Sequence, residues 1–192
     1  CRLFFMQIET IFPIIDRSLT AVKYDEYEED EFSRLMDLWT DVEYLHNFFS
    51  EHIKDLQSGF YGEITISEAI EKTIEDAENL EQELLALAKK GKTDEFENLQ
   101  RKFRQLDNND AGLGELQKSK AKGEKWKSWI RIYAIRIGKN HYVISGGAIK
   151  LTLKMEEREH TNYERIKLSK TKDYLKEMGI FDSDDFETLE LS

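Results

Sequence analysis

The hydrophobic period of this chain switches from helical to strand-like between residues 105 and 115, and that switch limits what it can fold into. Through residues 28–105, apolar side chains recur every three or four positions, as on helices that bury one stripe. In 28–56 the stripe is Phe32, Leu35, Met36, Trp39, Val42, Leu45, Phe49, Ile53 and Leu56, which predicts one helix. From residue 115 the period is two. "ELQKSKAK" (115–122), "WIRIYAIRI" (129–137) and "HYVISGGAIKLT" (141–152) then predict three antiparallel strands. The last two turn at Gly138-Lys139-Asn140.

Local signals place the remaining elements. Residues 14–26 predict a hairpin turning at Asp16-Arg17, with Leu19, Ala21 and Tyr24 inward. Thr65 and Glu68 form a capping box for a helix to Lys90, stopped by Gly91. Thr93 opens a third helix through Phe96, Leu99 and Phe103, and 106–114 is a loop. Thr161 and Glu164 predict a second capping box, for a helix that Gly179 stops. "SDDFETLEL" (183–191) is a short helix or strand. The expected fold is α+β in a single domain, 1–192. A small curved antiparallel sheet and its following helix occupy 106–178, and an acidic helical region, 28–105, enlarges it. The helices pack on one face, against Ile130, Ile132, Val143 and Ile149, and the other face stays open.

The net charge of −11 is unevenly spread. Residues 1–114 carry 12 Lys/Arg and 26 Asp/Glu, residues 115–172 carry 15 and 6, and residues 173–192 carry 1 and 7. An acidic protein thus holds a basic segment suited to a polyanion. One cysteine, Cys1, excludes a disulfide framework and a cysteine zinc site. His46 and His52, six apart on one helix, are not spaced as metal ligands on one face. No apolar run reaches the length of about 18 residues expected of a membrane helix. The opening "CRLFFMQIETIF" lacks the features of a secretory signal, so a cytoplasmic location is expected. Phosphate-loop, dinucleotide, HExxH and Gly-x-Ser-x-Gly motifs are absent, and no metal or cofactor is expected.

Alternation puts Trp129, Arg131, Tyr133 and Ile135 on one strand face. In the next strand, Tyr142, Ile144, Gly146, Ala148 and Lys150 share a face, and Gly146-Gly147 marks a bulge or a close backbone approach. Lys118, Lys120, Lys122, Lys125, Lys127, Arg131, Lys150, Lys154 and Arg158 come from neighbouring strands and loops. Converging on the open face among Trp and Tyr rings, they would form a surface for single-stranded RNA. The plain alternative is that they are solvated edge residues.

Glu115-Leu116, Ile130-Arg131-Ile132-Tyr133 and the run Gly147-Ala148-Ile149-Lys150-Leu151-Thr152-Leu153-Lys154 together resemble the core of RelE/HigB-type toxins of bacterial toxin–antitoxin pairs. The resemblance covers about 115–175. It implies a metal-independent, ribosome-associated mRNA endonuclease held in check by an antitoxin. By the same carry-over, Arg131 would bind the scissile phosphate and Lys150 would stand beside it. Lys118, Lys120, Lys122, Tyr133, Lys154 and Arg158 would bind RNA. Chemistry rather than motif nominates His160 as general acid or base, with Tyr163 nearby, because imidazole exchanges protons near neutral pH. The chain departs from the family in its extra acidic helices and acidic tail. The alternative is a non-catalytic protein-interaction or regulatory module on the toxin fold.

Overall fold

The computed structural model describes residues 6–106, 116–152 and 159–190, with side chains to Phe186 in the last stretch. Strands β1 (Ile8–Ile15) and β2 (Leu19–Tyr24) open the chain as the expected hairpin. Helices α1 (Glu31–Thr40), α2 (Val42–Glu51), α3 (Ile53–Leu56) and α4 (Ile66–Lys90) follow. A single 3-10 turn at Leu99–Arg101 leads to β3 (Arg104–Gln105), β4 (Gln117–Lys122), β5 (Ile130–Gly138) and β6 (His141–Ile149). Helices α5 (Glu159–Glu177) and α6 (Ser183–Glu190) close it.

The strands form one six-stranded sheet in the order β1-β2-β6-β5-β4-β3. The expected antiparallel set β4-β5-β6 is present. The sheet is nevertheless mixed, because β2 pairs parallel to β6, Leu19 opposite Tyr142 and Ala21 opposite Ile144. Ser18 fixes that junction: its hydroxyl donates to the carbonyls of Asn140 and Ala88, and its own carbonyl accepts from the Tyr142 N–H. Hydrophobic alternation in β2 could not reveal the direction of its neighbour.

Both sheet faces are covered, which corrects the open-face expectation. Leu35, Trp39, Phe49, Leu80 and Leu84 of the helical layer pack on Ile130, Ile132, Ala134, Ile144 and Ile149. On the far face Leu168 and Leu175 of α5 pack with Val22, Tyr133, Ile135 and Val143. Ile130, Ile132, Val143 and Ile149 are all buried, but Val143 belongs to the α5 side. The β5–β6 register shifts between Tyr133 and Ala134: Tyr133 pairs with Gly146, and Ala134 with Ile144. Ser145 is therefore a bulge, and it moves Gly146 and Ala148 to the face opposite Tyr142 and Ile144.

Three helix expectations change as well. The 28–56 stripe is divided into three helices at Asp41 and His52. The Asp41 side chain accepts from the Tyr44 N–H, capping α2 where extended backbone interrupts the run. Residues 93–103 form turns rather than a helix, held by the Asp94 and Asn98 side chains accepting nearby backbone N–H groups. Thr161 and Glu164 lie inside α5, buried, and form no capping box. The Thr65–Glu68 box is formed as expected.

Gly147 is the point where α1 meets the sheet. A Cβ there would sit 2.6 Å from the Arg131 carbonyl oxygen and 2.8 Å from Leu35. The first is backbone and cannot swing away. Gly147→Ala should therefore cost about 1–3 kcal/mol in urea unfolding, the range for overpacking a close-packed interior. An unchanged midpoint would contradict this packing.

Candidate functional site

A cleft of about 1000 Å³ opens between α1–α2 and α5, over the end of β6. Its floor is Gly147, Ala148 and Ile149, and its walls include Tyr27, Tyr44, Phe48, His52, His160 and Tyr163. Charge at its base is carried by Arg34, Glu164 and Lys167.

These charges belong to a buried network joining α1 to α5. Glu31 is fully buried. It accepts from Arg34 Nε and Nη2, at 2.7 and 3.0 Å, and from Lys167 Nζ at 2.5 Å. Glu164 receives one bond, Lys167 Nζ to Oε1 at 3.1 Å, while its Oε2 is buried with no hydrogen-bond partner among the described residues. Gly146 makes room for it, since a Cβ there would overlap the Glu164 carboxylate.

The environment pushes the two carboxyls apart. Burial raises Glu164 to about 7, with the Glu31 charge adding and Lys167 only partly offsetting. Burial also opposes the Glu31 charge, but Lys167 and Arg34 outweigh it and hold Glu31 below its ordinary value. Burial works against Lys167 too, and Glu164 and Glu31 together raise it. A carboxyl titrating near neutrality in a cleft is the group expected of an acid–base site, although structural ion networks also produce such shifts.

Glu164 takes up a proton on folding at intermediate pH, so its ionisation withdraws stability as pH rises from about 4.5 towards 7. Glu31 has the opposite sign: its contribution is present above its ordinary 4.5 and is lost as pH falls through its lowered value. Thermal midpoints of the wild type should fall between pH 5 and 7.5, and Glu164→Gln should flatten that limb while leaving the acid limb. Parallel profiles for the two proteins would contradict the assignment.

His160 holds its ring by Nε2 against the Ile149 carbonyl at 2.9 Å. A carbonyl only accepts, so Nε2 carries the hydrogen and Nδ1 is the nitrogen able to exchange a proton. The Phe48 ring meets His160 edge-on, with centroids 5.4 Å apart, and the His52 ring centroid lies 5.1 Å away.

Of the three residues nominated as catalytic, only His160 lines the cleft. Arg131 stands opposite Ala148, and Lys150 follows directly after the end of β6. The Arg131 guanidinium donates through Nη1 to the Ser128 and Ile130 carbonyls, at 2.7 and 2.8 Å. Burial lowers its pKa. Tyr133, expected on an open RNA surface, is buried beneath α5, and burial raises its hydroxyl pKa. Lys118 donates to Ser169 Oγ at 3.1 Å, Lys120 is half-buried, and Lys122 is exposed at the end of β4. Lys154 and Arg158 lie outside the described residues, as does Glu115.

Arg34, His52, Glu164 and Lys167 were missed by the motif reading. One signal was present: Thr161, Glu164, Leu168, Thr171 and Leu175 alternate at spacings of three and four, placing an acid in a stripe that must face the core. Among the described residues, no three His, Cys, Asp or Glu side chains gather as a metal site, and no helix is long and apolar enough to cross a membrane. No protein-family model, curated protein or solved structure matches this chain.

Proposed function

We propose that the chain is a RelE/HigB-like toxin that cleaves RNA by metal-independent acid–base chemistry in the α1–α2/α5 cleft, under the control of an antitoxin. The observation that carries the reading is the placement of His160. The residue nominated for proton transfer lies in the α1–α2/α5 cleft, its ring held at Nε2, with His52 and Glu164 also in that cleft. Cleavage needs a base for the ribose 2′-OH and an acid for the leaving 5′-oxygen. The 2′-oxygen attacks phosphorus, the P–O5′ bond breaks, and the products are a 2′,3′-cyclic phosphate and a 5′-hydroxyl. His160 supplies one proton-transfer group, and His52 or Glu164 the other. The strand order of the resemblance also supports the reading, because the Ile-Arg-Ile-Tyr and Gly-Ala-Ile-Lys runs fall on adjacent strands, β5 and β6. A cytoplasmic setting and an mRNA or ribosome-bound substrate go with it, and a net charge of −11 opposes ribosome docking at long range.

One observation favours a second reading, a non-catalytic protein-interaction module. Glu26, Glu51 and Glu159 line the cleft, and its two cations are committed to Glu31 and Glu164. Such a lining suits a basic segment of a partner better than a phosphate. Induced expression discriminates the two. Growth arrest relieved by a co-expressed partner, with RNA cut in vitro, supports the toxin. A well-tolerated protein that leaves RNA intact and purifies with a stable partner supports the module.

A further inference from the structure

The loop joining β4 to β5 is pinned from below and exposes its tip. Asp76 of α4, buried, accepts from the Lys125 N–H at 3.0 Å and from Ser128 Oγ at 2.5 Å. Gly123 leaves room for the Asp76 carboxylate. Trp129 Nε1 donates to Thr73 Oγ1 at 2.9 Å, anchoring the loop's far end. Between these anchors Trp126 is 76% exposed.

A second loop supplies a second ring. Gly59 and Gly62, at φ 92° and 77°, bracket Phe60 and Tyr61. Tyr61 turns in, edge-on to Trp129, while Phe60 stays 49% exposed. Lys127, at a φ of 53°, puts its ammonium 4.3 Å from the ring centroids of both Phe60 and Trp126. The Lys127 ammonium also bonds the Phe60 carbonyl, which ties the two loops together. Lys72 lies over Trp129 at 4.3 Å and donates to the Trp126 carbonyl at 3.0 Å. Lys125 is paired with Glu75, and Lys122 is exposed at the start of the loop.

We infer that Trp126 and Phe60, with Lys127, Lys72 and Lys122, form a stacking platform for single-stranded nucleic acid. Rings of this kind accept any base on their faces, and flanking cations neutralise the backbone. Two loops, tied through Lys127, hold two large rings in water, and a bound base would cover them. That the bound strand is RNA rests on the proposed ribonuclease reading; the binding itself does not.

The test is fluorescence anisotropy with a labelled 12-nucleotide uridine RNA, its uncleavable 2′-O-methyl form, the matching thymidine DNA and a duplex of equal length. Wild type, Trp126→Ala, Phe60→Ala and Lys127→Gln are compared, after circular dichroism has shown that each is folded. The single strands should bind more tightly than the duplex. Trp126→Ala should weaken binding at least about fivefold, the low end for losing one stacked base. With three lysines on the backbone, affinity should fall with salt at a log–log slope of about −2. Preference for RNA over DNA, or equal binding of both, supports the platform. No binding of either strand, or affinity unchanged in both ring variants, overturns it. Wild type that binds the 2′-O-methyl strand through Trp126 yet cuts no RNA overturns the ribonuclease reading and keeps the platform. Full cleavage and binding in Trp126→Ala overturns the platform and keeps the ribonuclease.

Discussion

Lys167→Met is expected to destabilise the protein by about 3–5 kcal/mol, the cost of leaving a buried charge without its partner. Lys167 is almost completely buried, and its ammonium is shared between Glu31 at 2.5 Å and Glu164 at 3.1 Å. Methionine fills much of the same volume, so the cost is electrostatic rather than a cavity. The charge left under-compensated is that of Glu31, which keeps Arg34 alone, whereas Glu164, already raised to about 7, takes up a proton instead. Adding Glu164→Gln should recover little of the loss, since without Lys167 that carboxyl is already protonated at pH 7. Urea unfolding of the single and double variants at pH 7 measures both effects. A single variant within about 1 kcal/mol of wild type would contradict the network, because that is the range of exposed ion pairs.

The network rests on contacts that no local sequence pattern carries. The β4–β6 strands, the β1–β2 hairpin and the Thr65–Glu68 cap were legible because each depends on neighbours a few residues away. What covers each sheet face was not, because it depends on contacts between α5 and strands far from it in sequence. The Tyr133 face looked half-polar, with Arg131 and two polar-tipped rings. In the structure Arg131 turns to backbone carbonyls and α5 closes over Tyr133. Thr161, three positions before Glu164, gives the local pattern of a capping box, but Glu164 lies buried inside α5. Lys167, which bonds it, also bonds Glu31, and that contact lies beyond any local pattern. His160 was nominated on chemistry alone, and it lies in the cleft because Ile149 presents a carbonyl at the end of β6. Trp126 and Lys127 stood within the basic run that suggested RNA, but the sequence pointed to the sheet face as their setting. The rings instead stand on a loop pinned by Asp76, an acid inside the α4 stripe.

His160→Ala should lower RNA cleavage by roughly 100- to 10,000-fold, the contribution of a positioned acid or base. His160→Ala removes the hydrogen bond to Ile149 as well, so its folding must be checked separately. His160→Gln, which keeps a donor for that carbonyl without exchanging protons, should be equally inactive while matching wild type in stability. Loss of the imidazole should also flatten one limb of the pH–rate profile. Changing Arg131 to Ala should have a smaller effect than either, because its guanidinium is held by the Ser128 and Ile130 carbonyls and does not line the cleft. The most direct measurement is cleavage of a labelled single-stranded RNA by wild type and His160→Gln, in EDTA, with and without ribosomes. Cleavage by wild type leaving a 2′,3′-cyclic phosphate, lost in His160→Gln and absent on 2′-deoxy substrate, is the predicted result. RNA left intact by wild type under every condition, or cut equally well by His160→Gln, would contradict the account.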